Sequence, residues 1–188
     1  MKKTIVLFIG VLFSLSVFAQ DDEIQTLFGS GTRITGFGGP FMTFTAINGE
    51  FAHMMGGGGG VLLGDFFLGG YGEGLTNYIN ANGNQINFGH GGFWSGFSFF
   101  GKRAIHPCIS AQIGWGGLTP QEDPYTYYES DNLFVVKPTV ELEMNFLKFF
   151  RLSMGANYMF VTGVDTPGLS DSDFNSPGAF LAFKFGWF

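Results

Sequence analysis

Residues 136–146 read VKPTVELEMNF. Val136, Pro138, Val140, Leu142 and Met144 alternate with Lys137, Thr139, Glu141, Glu143 and Asn145. Such period-two alternation is the pattern of a β-strand with two unlike faces. Wound as a helix, the same residues would scatter charge around the whole cylinder. Two later windows repeat it. Leu152, Met154, Ala156, Tyr158 and Phe160 oppose Arg151, Ser153, Gly155, Asn157 and Met159. Ala179, Leu181, Phe183, Phe185 and Trp187 oppose Phe180, Ala182, Lys184 and Gly186.

Upstream, Ile109, Ala111, Ile113 and Trp115 oppose Ser110, Gln112 and Gly114, while Phe93, Phe97 and Phe99 oppose Trp94, Gly96 and Ser98. In the segments 66–74, 50–63 and 39–47 glycine blurs the alternation. The count is eight strand candidates of about 8 to 14 residues, each long enough to cross a bilayer when tilted.

The links between them alternate in length. Short ones fall at 64–65, 101–106 and 147–149, and longer ones at 76–86, 118–131 and 165–177, with Asn48-Gly49 on the longer-loop rim. Short turns on one rim and longer loops on the other suit an up-and-down transmembrane barrel. The long links hold Glu122, Asp123, Glu129, Asp131, Asp165, Asp171 and Asp173, whereas the short turns carry Lys102, Arg103 and Lys148.

Alternation alone also fits an exported soluble barrel or sandwich, with its apolar face inward. Two features favour lipid outside. The polar faces are sparse in charge, carrying Lys137, Glu141, Glu143, Arg151 and Lys184 among Thr, Ser, Gly, Asn and Ala. A soluble exterior carries roughly 25–35% charged residues. With Glu73, the set becomes three cations and three anions, a balance expected of a narrow lumen where unpaired charge is costly. Trp115, Trp187, Tyr158, Phe160 and Phe149 also lie near strand ends, where an aromatic girdle would meet the headgroups.

Composition agrees. The 188 residues include 31 glycines and 25 phenylalanines, with only 13% charged. That aromatic content argues against disorder. Residues 1–19 have the form of an export signal: Lys2 and Lys3, an apolar core from Ile5 to Val17, and a small-x-small site at Val17-Phe18-Ala19. Its removal leaves seven basic against fifteen acidic side chains, a charge of −8 that argues against nucleic acid. Residues 20–32 form an N-terminal periplasmic lead-in. Cys108 is the lone cysteine, so no internal disulfide can staple the exported chain.

On its signal, eight alternating segments, loop asymmetry and terminal Phe188, the chain resembles the small eight-stranded outer-membrane barrels of Gram-negative bacteria. The resemblance covers residues 33–188 as architecture: an all-β, eight-stranded antiparallel up-and-down transmembrane β-barrel in the cell outer membrane, among its lipids. It implies that Phe188 is the terminal aromatic read by the barrel-assembly machinery. Phe188 is nevertheless out of phase with the lipid-facing set 179–187.

No arrangement of residues points to catalysis. His90 and Ser95 are five apart on one strand and face opposite ways, and His106 and Ser110 are four apart, roughly 13 Å along a strand. A lumen or turn histidine held by local polar groups is the better reading. Asp165, Asp171 and Asp173 match no calcium-loop spacing, and Gly56–Gly60 lacks the lysine and helix of a phosphate loop. No cofactor or metal is expected. Tyr125, Tyr127 and Tyr128 are the candidates for contact with an unidentified extracellular ligand. The leading expectation is a plugged barrel with a structural or surface-interaction role. The alternatives are a narrow passive channel and a lipid-modifying barrel enzyme.

Overall fold

The computed structural model describes residues 34–81, 84–123, 126–127 and 130–188. The export segment 1–19 and lead-in 20–32 lie outside the described residues, as do Tyr125 and Tyr128. The long strands are β1 (Ile34–Ile47), β2 (Glu50–Leu63), β3 (Phe66–Leu75), β4 (Asn84–Ser98), β5 (Ile105–Asp123), β6 (Asp131–Leu147), β7 (Phe150–Thr162) and β8 (Ser176–Gly186). Consecutive strands pair antiparallel, and β1 also pairs with β8, Phe37 opposite Gly186 and Phe44 opposite Ala179. The sheet therefore closes into an eight-stranded up-and-down barrel. Closure gives every strand two partners, which lets backbone polar groups sit in lipid without water.

The turns follow their chemistry. Asn48 (φ 51°) and Gly49 (φ 75°) both sit in the left-handed region, making the two-residue hairpin turn that Asn-Gly favours. That turn shares its rim with the connections 76–83, 124–130 and 163–175, while turns 64–65, 99–104 and 148–149 occupy the opposite rim. One difference from the sequence reading is the link 118–131. The ladder continues through most of it: β5 runs to Asp123, Gln121 pairs with Gln85 of β4, and Leu118 pairs with Asp131 of β6. The cause is tertiary: partners on both sides extend a strand whose local Thr-Pro-Gln composition reads as loop. Thr126–Tyr127 then pairs back onto Gln121–Asp123.

The faces divide sharply. Val140 is 65% exposed and its neighbour Glu141 2%. Ile109, Ile113, Leu142, Met154, Phe160 and Phe185 point outward with Val140, and so do the girdle residues Trp115, Trp187, Tyr158 and Phe149. An exterior this apolar over its whole circumference is unlike that of a soluble monomer and matches a lipid-facing wall.

Inside, two levels stack along the axis, the lower one shared between ions and rings. At the loop rim lies an apolar cluster of Ile47, Met54, Ile86, Phe88, Leu133 and Val161, with Phe174 of the one-turn helix α1 (Asp171–Phe174) buried in it. Below it, ionic groups spread along β5–β8. Beside them, rings from β1, β3, β4 and β8 form an aromatic cluster of Phe37, Phe41, Phe67, Tyr71, Trp94 and Phe180. Glycine makes room for that cluster. A Cβ on Gly96 would lie 2.5 Å from Phe67 Cε1, and one on Gly58 3.0 Å from Trp94 Cε3.

Candidate functional site

The strand pleat that turns Val140 and Leu142 outward turns Lys137, Thr139, Glu141 and Glu143 into the barrel. The structure places all six charged residues singled out from the sequence in the interior, in two clusters.

The cluster nearer the loop rim centres on Lys137, which is fully buried. Its Nζ donates to Glu73 Oε1 across the lumen, from β6 to β3, and to Thr43 Oγ1 of β1 at 3.0 Å. Thr43 Oγ1 in turn donates to Glu73 Oε2 at 2.9 Å. His90 Nε2 lies 3.2 Å from Glu73 Oε1, and its Nδ1 is 3.0 Å from the Tyr71 hydroxyl. The ammonium also faces the Phe41 and Phe180 rings at 5.6 and 6.0 Å. One cation and one anion thus tie together β1, β3, β4 and β6.

The cluster nearer the turn rim is larger. Lys184 Nζ donates to Glu141 Oε2 at 3.0 Å and to Glu143 Oε1 at 2.6 Å. Glu143 also accepts from Ser153 Oγ at 3.0 Å, Ser98 Oγ at 2.9 Å and His106 Nε2 at 3.0 Å, and Arg151 Nη1 stands at 3.5 Å. Ser110 Oγ donates to Glu141 Oε1. Lys184 lies 5.0 Å from the Trp94 ring centre, where the ring face adds attraction to the buried ammonium. Two cations meet two anions here, so each cluster is formally neutral, histidines aside.

Buried ion pairs survive only when desolvation is offset by good geometry and further hydrogen bonds. Those further bonds come from Thr43, Ser98, Ser110 and Ser153, which the sequence reading did not assign to the ionic set, and from His90 and His106, which it read as lumen or turn histidines held by local polar groups. A signal for them existed. Each shares strand parity with the lumen-facing set, but hydroxyl and imidazole residues are common on any polar face, so parity alone could not choose them. The histidines stand in separate surroundings: His53 on Thr76 Oγ1 at 2.6 Å near the loop rim, His90 on Glu73, and His106 on Glu143.

Among the described residues, Cys108, Glu141 and Glu143 bring ligand atoms within 4.8 Å of one another. Both carboxylates are engaged by Lys184, however, so the charge a cation would supply is already there. Asp131 at the start of β6, with Asp171 and Asp173, holds the backbone of loop 163–175. Asp131 Oδ2 accepts from Asp165 N, Thr166 N and Thr166 Oγ1 at 2.7–3.0 Å, Asp171 Oδ1 accepts from Val164 N at 2.9 Å, and Asp173 Oδ2 caps Ser170 at 2.8 Å. Of the three loop tyrosines, Tyr127 contributes backbone to the short ladder with Gln121. The outer wall bears an apolar groove of about 700 Å³ between Phe66, Phe97, Ile109, Val140 and Tyr158, on the face that meets lipid.

Phe188 explains its own phase. Its ring lies 4.1 Å from Arg151 Cζ and 6.4 Å from the Phe37 ring, packed against the interior aromatic cluster at the turn rim.

No family model matches the chain, and no curated protein matches it by sequence. Solved structures do match. The N-terminal β-barrel domain of Pseudomonas aeruginosa OprF superimposes with a TM-score of 0.56 at 13% identity, covering 84% of this chain and all of that one. Neisserial surface protein A gives 0.59 at 11% identity, covering 84% and 99%. The chain has the fold of the small eight-stranded outer-membrane barrels.

Proposed function

We propose that this is an exported outer-membrane barrel, closed to solutes, that acts as a structural element and through the surface it presents at its loop rim. The observation that carries the reading is the filled interior: Lys137, Glu141, Glu143 and Lys184 are paired and almost without solvent contact, with an apolar plug above them. Eight strands enclose a space that side chains just fill, and the extra room left by glycine is taken by Trp94 and Phe67.

Activity then resides outside the lumen. The partners in this reading are outer-membrane lipids around the wall, the assembly machinery that reads Phe188 before its ring folds inward, and an extracellular ligand met by Tyr125, Tyr127 and Tyr128. Catalysis is not part of it, because each histidine is committed to a structural partner.

Planar-bilayer recording of the purified, refolded protein tests the central point. No steady conductance above the bare membrane is expected. Reproducible unitary steps at fixed voltage would establish the narrow-channel alternative instead.

A further inference from the structure

Between the two ion clusters the interior holds polar atoms with no protein partner among the described residues: Trp94 Nε1, Gln112 Oε1 and Nε2, and Asn157 Oδ1 and Nδ2. All three residues are more than nine-tenths buried. They lie close in the ladder. Trp94 is directly opposite Gln112, Gln112 is opposite Lys137, and Asn157 is opposite Thr139, two residues further along β6. On its other side Asn157 faces Gly178, which has no side chain to offer.

Buried amides and indole N–H groups left unpaired in a low-dielectric interior are expensive, and native proteins satisfy them with protein or ordered water. The chemistry of this set selects the ligand. It combines donors with acceptors and carries no charge, while the nearby ions are already paired. An anion would find acceptors facing it and a cation would find donors, whereas water can serve both.

We propose that Trp94, Gln112 and Asn157 form a binding site for internal water, a small hydrogen-bonded group of molecules bridging the Glu73–Lys137 and Glu141–Lys184 clusters. A buried water makes about three hydrogen bonds, so five orphaned atoms with their ionic neighbours suit roughly two or three molecules. The barrel is then wet within while closed at its loop rim by the apolar plug, and the bound water exchanges slowly with bulk.

Solution NMR on the refolded protein in detergent micelles tests this, with water itself as the probe. Cross-peaks to water with the sign of a bound, slowly tumbling molecule are expected at the Trp94 Nε1 proton and at the Gln112 and Asn157 side-chain amides. The Trp94 proton should exchange slowly into D₂O. In Gln112→Leu/Asn157→Leu the Trp94–water cross-peak should be lost. Two results on the wild-type protein would overturn the proposal: no water cross-peak at any of the three side chains, or direct contacts showing that Gln112 and Asn157 pair with each other.

Discussion

The two walls of this barrel solve one problem by opposite means. On β2–β4 the lumen-facing positions alternate between glycine and bulk: Gly58, Gly60 and Gly96 beside Phe67, Tyr71 and Trp94. That wall is held by shape, with rings seated on backbone. On β5–β8 the corresponding positions are His106, Ser110, Lys137, Glu141, Glu143, Arg151, Ser153 and Lys184, and that wall is held by charge and hydrogen bonds. Glu73 and His90 carry the ionic system onto the first wall, and Lys184 over Trp94 joins the two. A narrow eight-stranded lumen can be filled either way, but the walls should fail differently.

The largest effect belongs to the ionic wall. Lys184→Leu leaves Glu141 and Glu143 without their main counter-charge, and stripping one partner from a buried pair costs about 3–5 kcal/mol. Urea unfolding of the refolded protein in micelles should show a loss of that size, together with loss of the faster migration of the unboiled band on gels. Unchanged stability and mobility would mean that the cluster contributes nothing. On the aromatic wall a single methyl should matter. Gly96→Ala drives Cβ into the Phe67 ring, and overpacking of this kind costs about 1–3 kcal/mol. Ser153→Ala removes one of several donors to Glu143 and should cost about 1 kcal/mol. At the bottom of the scale, a Cβ on Gly72 of β3 meets nothing within 4 Å, so Gly72→Ala should fall within about 0.5 kcal/mol of wild type. If Gly72→Ala costs as much as Gly96→Ala, packing of rings against glycine is not what distinguishes that wall.

The walls also differ in how much the sequence discloses. On β6, β7 and β8 lipid on one side and ions on the other force a strong alternation, and every outward residue expected from 136–146 and 151–160 lies outside. On β2 the run Gly56–Gly60 hides its phase, because glycine fits either face; the fold recovers it through Ala52, Met54 and Leu62, which point inward. The inward aromatic cluster was harder to foresee. Trp94, Phe180 and Gly96 fall on the polar-face parity, but only the curved sheet shows that glycine on one strand seats a ring from another. The extension of β5 to Asp123 depends on pairing with β4 and with residues 126–131 on either side, which local composition cannot register. Phe188 is the instructive case: its phase was readable, and the inward packing on Arg151 supplies the physical reason.

Three native tryptophans offer the most direct trial of which face meets lipid. Trp115 and Trp187 are 61% and 67% exposed, and Trp94 is 2% exposed. Single-tryptophan versions made by Trp→Phe replacement can be refolded into vesicles whose acyl chains carry bromine, a quencher confined to the bilayer. Fluorescence from Trp115 and Trp187 should fall strongly, and Trp94 should be largely spared by both bromolipid and aqueous acrylamide. Strong bromolipid quenching of Trp94, with Trp115 and Trp187 reached only by acrylamide, would turn the barrel inside out and contradict the assignment of its faces.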